Sequence, residues 1–411
     1  MALDNQATIY PLWFLWHLVD GKRSGTTYML TEVIMLVSVV CLCFHAWALR
    51  KIQGVQKSAQ LSNPLSDVQS NSSVTVVIAA RNEEACVVQS LNSILNQQAV
   101  ERIIFVDDHS ADHTLDLAKN VSAHNKCICV YSAPPVPEGW TGKAHALHYG
   151  AKDITTTYIL FTDADVILAA GTVQAAVHIM DHEQLDHLSG NFYIHCATAA
   201  ESICAPVLAA SSAIALFGAA DRHGAATGAF NLVRADFYHH IGGHRAIKGT
   251  VVDDVSLARF VKSRHGQSSF LGFSDRAGVR LFQGVGGFFR LISRSAQSYL
   301  GDHLILPLLG GLAVGGIGVF ILLLPWLILF TYRLGWIFSY QQAIALAAFG
   351  ASYGMGLAAC RGVTHLHNGR PFYTIFYPFP LSLLGLATLK SSMIKILNLK
   401  INWRGRSYKT V

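Results

Sequence analysis

Long apolar segments near both ends of the chain are the feature that most constrains its fold. Residues 29–49 carry one acidic residue, Glu32, near their start and are otherwise free of charge. Residues 304–330 are uncharged, and residues 341–360 are almost as apolar. Each segment is long enough to cross a hydrocarbon core of about 30 Å as a helix. The sequence therefore predicts one transmembrane helix before a large middle region and two after it, with no cleavable signal peptide at the start.

A further apolar segment near the C-terminus, residues 371–389, contains Pro378 and Pro380. Proline removes a backbone hydrogen bond and breaks helices when it lies inside them. We therefore expect this segment to form a re-entrant or interfacial hairpin and not to cross the bilayer fully.

Composition and charge support membrane attachment. Of the 411 residues 52% are hydrophobic and 14% are charged, which is too apolar for an ordinary soluble enzyme. The net charge of +6 lies mainly beside the apolar segments, so it favours anionic lipid headgroups as a partner over nucleic acid. These basic residues are Arg50, Lys51, Lys57, Arg361, Arg370, Lys390, Lys395, Lys400, Arg404, Arg406 and Lys409.

Lysine and arginine accumulate on the cytoplasmic side of membrane helices. Their distribution predicts an integral protein of the cell inner membrane, with the middle region, the 361–370 loop and the tail in the cytoplasm. The eight cysteines are scattered and form no CxxC motif, which suits small buried hydrophobes in a reducing compartment. The sequence leaves the oligomeric state open.

The middle region alternates between strand and helix patterns. Residues 74–80 (VTVVIAA) form a β-branched run, and further strand patterns follow at 103–106, 127–131 and 158–162. Helix patterns separate them, so the order is βαβαβαβ. This order predicts an α/β fold, Rossmann-like with a mostly parallel sheet, whose ligands bind at the carboxyl ends of the strands.

The predicted domains follow from these patterns. Residues 1–55 form the N-terminal segment and anchor, 56–73 a polar linker, and 74–282 the α/β domain. Residues 283–303 form an interfacial helix, and 304–411 the C-terminal transmembrane region with a basic tail.

Polar side chains follow three of the predicted strands where each strand ends. Residues 158–168 (YILFTDADVIL) place Asp163 and Asp165 between two apolar runs, where uncompensated carboxylates would cost several kcal/mol to desolvate. One such cluster could merely cap the next helix, but three clusters at one sheet edge predict a shared cleft that holds a divalent cation or its phosphate complex. The other two clusters are Arg81, Asn82 and Glu83, and Asp107 and Asp108.

The motifs AARNEE, VDDHSADHT, GWTGKAHAL, LFTDADV and VVDDVSLARFVK resemble those of inverting family 2 glycosyltransferases with the GT-A fold. Within that family, GWTGKAHAL, the span ATGAFNLVRADFYHHIGGHRAIKGTVVDDVSLARFVK, LISRSAQ and the terminal WRGRSY are similar to hopene-associated glycosyltransferases. The likeness to membrane carotenoid and ceramide glycosyltransferases is weaker. The resemblance covers residues 74–300 and the tail.

The resemblance implies a nucleotide-sugar donor, with Mn²⁺ or Mg²⁺ stabilising its diphosphate as the sugar leaves. Asp163 and Asp165 would hold the metal and phosphates, and Asp107 and Asp108 the nucleoside. The implied donor-binding residues are Ala80, Asn82, Glu83, Asp107, Asp108, Lys143, Asp163 and Asp165.

The resemblance also places Asp254 at the position of the family's catalytic aspartate, as the base for the acceptor hydroxyl. Its neighbour Asp253 is better interpreted as a helix N-terminal residue that interacts with the helix dipole. One base acting opposite the departing nucleotide gives inversion, so a second nucleophilic carboxylate is not required.

Three departures from the family pattern affect this interpretation. His113 replaces a common glycine, which could simply alter a turn. The Gln-x-x-Arg-Trp motif of processive relatives is missing, and residues 298–302 read SYLGD, so transfer of a single sugar is favoured over chain synthesis. Arg290 and Arg294 lie four residues apart and could contact phosphate or lipid headgroups.

Together these features predict an inverting glycosyltransferase that moves one sugar from a UDP-sugar to a membrane lipid of hopanoid, carotenoid or sphingolipid type. Residues 201–220 are apolar, and we expect them to frame the acceptor entrance. A polyprenyl-phosphate sugar transferase and a non-catalytic membrane scaffold are the alternatives.

Overall fold

The computed structural model describes residues 25–56, 72–273, 276–300, 305–333, 340–403 and 406–409. The predicted linker lies largely outside the described residues, as do the loop at 334–339 and Arg404. Two compact units are present. The smaller one contains the chain up to Trp47 and Leu323–Met355, and the larger one contains Ala48–Leu322 and the chain from Gly356 onward.

The larger unit is built on a seven-stranded sheet of order β3-β2-β1-β4-β8-β6-β9. A three-stranded sheet of order β5-β10-β7 and a β11-β12 hairpin accompany it. The strands are β1 Val74–Ala80, β2 Val100–Asp107, β3 Ile128–Ser132, β4 Tyr158–Asp163, β5 Val166–Leu168, β6 His187–Gly190, β7 Tyr193–Ile194, β8 Asn231–Arg234, β9 Ser268–Leu271, β10 Ala277–Val279, β11 Lys400–Trp403 and β12 Arg406–Lys409.

Helices connect the strands and cover both faces of the sheet. In the helix after β1, for example, Val87, Leu91 and Ile94 recur at helical spacing and are all buried. The helices are α1 Gly25–Gln56, α2 Val87–Leu95, α3 Thr114–Ala123, α4 Gly142–Gly150, α5 Thr172–His182, α6 Ala199–His223, α7 Ala235–Ile241, α8 Gly243–Ala246, α9 Asp253–Ser263, α10 Gly284–Leu300, α11 Ile305–Arg333, α12 Tyr340–Gly362 and α13 Pro378–Ile396, with 3₁₀ turns at Thr364–Leu366 and Pro371–Phe376.

The predicted parallel arrangement is confirmed for the first four strands. β1 lies between β2 and β4 and is parallel to both, and β3 is parallel to β2. β8 is antiparallel to β4, so the complete sheet is mixed but mostly parallel. The register pairs Ala80 with Asp107 and Ala79 with Asp163, which brings three predicted clusters to one sheet edge.

Five helices among the described residues are long and apolar enough to cross a membrane. They contain Glu32–Val55, Ala199–Ala220, Ile305–Leu327, Gln342–Gly362 and Pro378–Ile396. The three transmembrane helices predicted from sequence correspond to α1, α11 and α12. In the smaller unit, His45 Nδ1 lies 3.0 Å from Ser352 Oγ, which joins α1 to α12.

The predicted hairpin near Pro378 and Pro380 is wrong in its local structure. Both prolines lie in the first turn of one continuous helix, α13, where a missing backbone N–H costs nothing. This helix packs closely on α11, because a Cβ added at Gly385 would lie 2.2 Å from the Gly315 nitrogen. Whether α13 crosses the bilayer remains a prediction.

Glu201 fixes the start of α6 against the rest of the larger unit. It is fully buried. Its Oε1 accepts hydrogen bonds from Arg280 Nη2 at 2.8 Å and from the Gly284 N–H at 3.2 Å. Its Oε2 accepts from the Ala197 N–H at 2.6 Å, and Thr198 completes a capping box. One carboxylate therefore joins α6, the residue after β10 and the start of α10.

We expect Glu201→Ala to lower the free energy of unfolding by about 2–3 kcal/mol, because the Arg280 guanidinium and several N–H groups lose their buried acceptor. The apparent melting temperature of the purified full-length protein, followed with a thiol-reactive dye, would fall by several degrees. Glu183→Ala is the control, since Glu183 is exposed. Equal melting temperatures for the two variants would contradict this role for Glu201.

Candidate functional site

A cleft of about 450 Å³ opens at the carboxyl edge of the sheet. Strand ends, the start of α4 and the start of α9 form one part of its wall. The predicted site residues that line it are Ala80, Glu83, Asp108, Lys143, Asp163, Asp165 and Asp254. The structure therefore brings together residues that are separated by up to 174 positions, from Ala80 to Asp254.

Asn82 and Asp107 lie beside the cleft and shape its loops. Asn82 has a left-handed backbone with φ of 56°, and its Oδ1 accepts from the Ala111 N–H at 2.8 Å. Asp107 Oδ2 accepts from the Ser110 N–H at 3.1 Å, and Ser110 Oγ accepts from the Asn82 N–H at 3.0 Å. These bonds fasten the loop after β2 to the loop after β1.

His113 belongs to the same pair of loops. Its backbone φ is −81°, and its N–H donates to Glu84 Oε2 at 3.1 Å. The position therefore needs no glycine, and the histidine leaves the turn before α3 in an ordinary conformation.

Lys143 lies in the first turn of α4, and its ammonium group bridges two carboxylates. Its Nζ is 2.7 Å from Asp163 Oδ1 and 3.0 Å from Asp253 Oδ1. Burial opposes the charge of the ammonium, but the attraction of Asp163 and Asp253 raises the pKa of Lys143 above its ordinary value. Lys143 therefore stays a cation and ties the end of β4 to the start of α9.

Asp253 is part of this ion-pair network. Its second oxygen, Oδ2, lies 3.9 Å from His244 Nε2, and His244 Nδ1 is 2.8 Å from the Tyr238 hydroxyl. Burial acts to raise the pKa of Asp253, but Lys143 and His244 outweigh it and lower that pKa below the usual range. The structure thus gives Asp253 a larger role than the helix-terminal one expected from sequence.

Asp254 follows directly but has a different environment. It is half-buried in the cleft wall, and its Oδ1 accepts from the Val255 N–H at 2.9 Å. Burial and the neighbouring charge of Asp253 raise the pKa of Asp254 from 3.8 to about 7. A carboxylate with this pKa can accept a proton near neutral pH, which is what general-base chemistry requires.

Asp163 and Asp165 provide carboxylate oxygens, which Mn²⁺ and Mg²⁺ prefer as ligands. Gly228 makes room for Asp163, since a Cβ at Gly228 would lie 2.2 Å from Asp163 Oδ2. Among the described residues no group of three or more His, Cys, Asp or Glu side chains could hold a metal ion. Two carboxylates fit an ion that also takes phosphate oxygens and water as ligands.

Another part of the cleft lining is more apolar. Phe192, Leu281 and Leu291 line it together with Arg294 and Ser295, and the last three belong to α10. Of the two arginines singled out on this helix, Arg294 reaches the cleft, whereas Arg290 is exposed and does not line it. The cleft therefore has a carboxylate-rich part and an apolar part.

Several site residues were not identified from the sequence. Gly142 and Gly228 leave space for charged side chains, His244 contacts Asp253, and Arg406 lies 2.5 Å from Asp108. The motifs GWTGKAHAL, ATGAF and WRGRSY contain three of them, but spacing alone does not indicate contacts that span up to 298 residues.

Comparison with known proteins agrees with this geometry. The family model described as Glycosyl transferase family 2 matches residues 75–202. The chain is 36% identical over 94 residues to a 4,4'-diaponeurosporenoate glycosyltransferase of Staphylococcus aureus (strain bovine RF122 / ET3-1), which is 23% of this chain and 24% of that protein. It is 26% identical over 193 residues to the protein of that name from strain MRSA252, which is 45% of this chain and 50% of that protein.

The chain thus spans half or less of the length of these curated relatives. Among solved structures, a mannosyltransferase from Pyrobaculum calidifontis in complex with GDP-Man and Mn²⁺ is similar, with a TM-score of 0.50 at 13% identity. The similarity covers 78% of this chain and 97% of that chain. At this identity the likeness confirms the predicted fold and nothing further.

The opposite pKa shifts of the two neighbouring aspartates lead to a prediction about stability. Asp253→Asn should lower the free energy of unfolding by about 1–3 kcal/mol, because a buried cation loses a charged partner. The apparent melting temperature should fall accordingly. Asp254→Asn should lower neither. A carboxyl whose pKa rises on folding destabilises the fold increasingly between pH 3.8 and about 7, and asparagine removes that cost.

Melting curves of both variants at pH 5 and pH 8 test this difference. The Asp254→Asn protein should be at least as stable as the unsubstituted protein at pH 5, and its advantage should be larger at pH 8, because the cost that asparagine removes grows with pH up to about 7. A larger loss of stability for Asp254→Asn than for Asp253→Asn would overturn the assignment of the ion pair.

Proposed function

We propose that this chain, whose residues 75–202 form a glycosyl transferase family 2 domain, transfers one sugar from a nucleotide-sugar to a membrane lipid with inversion at the anomeric carbon. The observation that carries the proposal is a single cleft whose lining joins six carboxylates to apolar side chains, among them Phe192, Leu281 and, from α10, Leu291. A polar donor and an apolar acceptor could meet there, with Asp254 lining the same cleft.

The charge balance of the cleft supports metal-dependent donor binding. Six carboxylates line it, against the basic side chains Arg81, Lys143 and Arg294. A diphosphate donor would add further negative charge, so a divalent cation is needed for it to bind. Mn²⁺ or Mg²⁺ held by Asp163 and Asp165 would neutralise the diphosphate as the sugar departs. We propose a UDP-sugar as the donor.

Asp254 is proposed as the base. Its raised pKa allows it to accept a proton from an acceptor hydroxyl at neutral pH, and the deprotonated oxygen can then attack the anomeric carbon. Lys143 and Asp253 hold the start of α9 against the end of β4, which fixes the distance between the base and the donor carboxylates. A single base acting opposite the leaving group yields inversion.

A lipid acceptor agrees with the apolar helices of the chain and with the name of its curated relatives, which are glycosyltransferases of 4,4'-diaponeurosporenoate. We propose an acceptor with an extended hydrocarbon body, of carotenoid, hopanoid or sphingolipid type. The protein would then be integral to the inner membrane, with its cleft on the cytoplasmic side, where nucleotide-sugars are made.

A polyprenyl phosphate is the second candidate acceptor. Arg294 lines the cleft on the α10 side, where its guanidinium could pair with a phosphate on the acceptor. The two candidates differ in whether the acceptor head carries a phosphate, and the same assay separates them.

The test is mass spectrometry of lipids from membranes that contain the full-length protein, supplied with isotope-labelled UDP-sugars. We expect a lipid bearing one labelled hexose. Asp254→Asn should lower its rate of formation by about 10² to 10⁴, because asparagine cannot take the proton. Equal labelling in membranes with Asp254→Asn would contradict the proposed mechanism. Labelling of polyprenyl phosphate alone would favour the second candidate.

The pH profile provides the control for this assignment. With Asp254 as the base, kcat/KM should fall as the pH drops through about 7, where the carboxylate becomes protonated. The residual activity of Asp254→Asn should lack this decline on the acidic limb of the pH profile. A limb that persists in the variant would belong to another group.

Metal dependence generates a separate prediction. Binding of UDP-glucose or GDP-mannose to the purified protein should require Mn²⁺ or Mg²⁺ and should be abolished by a chelator. Asp165→Asn should weaken it about tenfold or more, since a charged ligand of the ion is lost. Asp153→Asn is the matched control, because Asp153 is exposed and does not line the cleft. If neither a chelator nor Asp165→Asn changes the affinity for the donor, the metal assignment is wrong.

A further inference from the structure

The C-terminal hairpin, β11 and β12, places a cation beside the loop that follows β2. β11 and β12 are antiparallel, with Trp403 opposite Arg406. Among the strands that the structure describes, they pair only with each other. Arg406 of the hairpin contacts a residue that lines the cleft, since its Nη1 lies 2.5 Å from Asp108 Oδ2.

Asp108 is held from several directions. Its side chain is 6% exposed. The Asp108 N–H donates to the Ala80 carbonyl at 2.7 Å, and Arg81 Nη1 donates to the Asp108 carbonyl at 2.6 Å. Arg406 occupies one carboxylate oxygen, while Oδ1 is buried and has no hydrogen-bond partner among the described residues. The hairpin therefore gives this buried carboxyl group a charged partner.

Gly142, the first residue of α4, leaves room for this ion pair because it has no side chain. A Cβ at Gly142 would lie 1.9 Å from Arg406 Nη1 and 2.2 Å from Asp108 Oδ2. Any side chain there would have to displace one of the two partners. The ion pair also lies beside the residue that precedes Lys143, so it belongs to the carboxylate-rich part of the cleft.

We propose that Arg406 is a positioning residue of the donor site. Its guanidinium holds Asp108 in one orientation, so that the acceptor capacity left at Oδ1 is available to an N–H or hydroxyl group of the nucleoside. The C-terminal hairpin is then a part of the donor site contributed from the far end of the chain. This inference rests on the proposed function, because it assigns Asp108 to a nucleotide-sugar.

One consequence follows from thermodynamic linkage. If Arg406 favours donor binding by holding Asp108, then the donor must favour docking of the hairpin by the same free energy. Hydrogen exchange in residues 400–409 should slow when the donor binds, and this slowing should be lost in Arg406→Ala.

The experiment measures equilibrium binding of UDP-glucose and GDP-mannose, each with Mn²⁺, to the full-length protein. Arg406→Ala should weaken binding of the preferred donor roughly tenfold or more, as expected when a charged hydrogen bond is lost. It should raise the donor KM much more than it lowers kcat. Arg406→Lys, which keeps the charge, should recover part of the affinity. Lys400→Ala, in the same hairpin at an exposed position, should bind donor as the unsubstituted protein does.

A double substitution separates positioning from an independent phosphate contact. In an Asp108→Asn background, Arg406→Ala should weaken donor binding little further, because both substitutions remove the same contact between Arg406 and Asp108. Fully additive effects, or donor binding that is unchanged or tighter in Arg406→Ala, would overturn the inference. If Arg406→Ala fails to fold, as judged by its melting curve, the comparison is made with Arg406→Lys and Arg406→Gln. Absence of nucleotide-sugar binding in the unsubstituted protein would instead refute the proposed function.

Discussion

The two ion pairs of Lys143 hold the cleft together. A buried ammonium is costly unless carboxylates compensate it, and Asp163 and Asp253 do so from two elements that are ninety residues apart in sequence. Three pieces of the fold, the end of β4, the start of α4 and the start of α9, are thereby fixed relative to one another. The strand-end cluster and the aspartate pair share one cleft because this charge arrangement requires it.

The same arrangement explains why two adjacent aspartates differ chemically. The cation and His244 compensate Asp253, which therefore keeps its charge, and that charge acts on Asp254 across one peptide unit. Neighbouring carboxyl groups with pKa values driven apart are a common way to obtain one structural anion and one proton acceptor. The network that runs from Tyr238 through His244 to Asp253 is thus part of what gives Asp254 its basicity.

Sequence reasoning was most successful where the information is local. The β-branched runs and the period of Val87, Leu91 and Ile94 predicted the parallel strands and helices, and the strand-end positions of Asp108 and Asp163 predicted the cleft. It failed for α13, because prolines in a first helical turn and prolines inside a helix look alike without the helix start. It also missed the partners of Lys143 and Asp108. Those contacts depend on chain segments that only the complete fold brings together.

The proposed lipid acceptor would account for the position of the apolar helices. Moving a hydrocarbon chain from a bilayer into water costs about 0.8 kcal/mol per methylene group, so a long acceptor could not reach a cleft surrounded by solvent. In the larger unit, α6 is inserted between β7 and β8 of the α/β domain, and its Cys204 and Leu208 belong to one apolar cluster with Phe288 and Ile292 of α10 and Ala387 of α13. Helix α10 presents Phe288 and Ile292 to that cluster and Leu291 and Arg294 to the cleft. One helix is therefore shared between the apolar cluster and the cleft, which would let the head of the proposed acceptor reach Asp254 while its hydrocarbon body stays out of water.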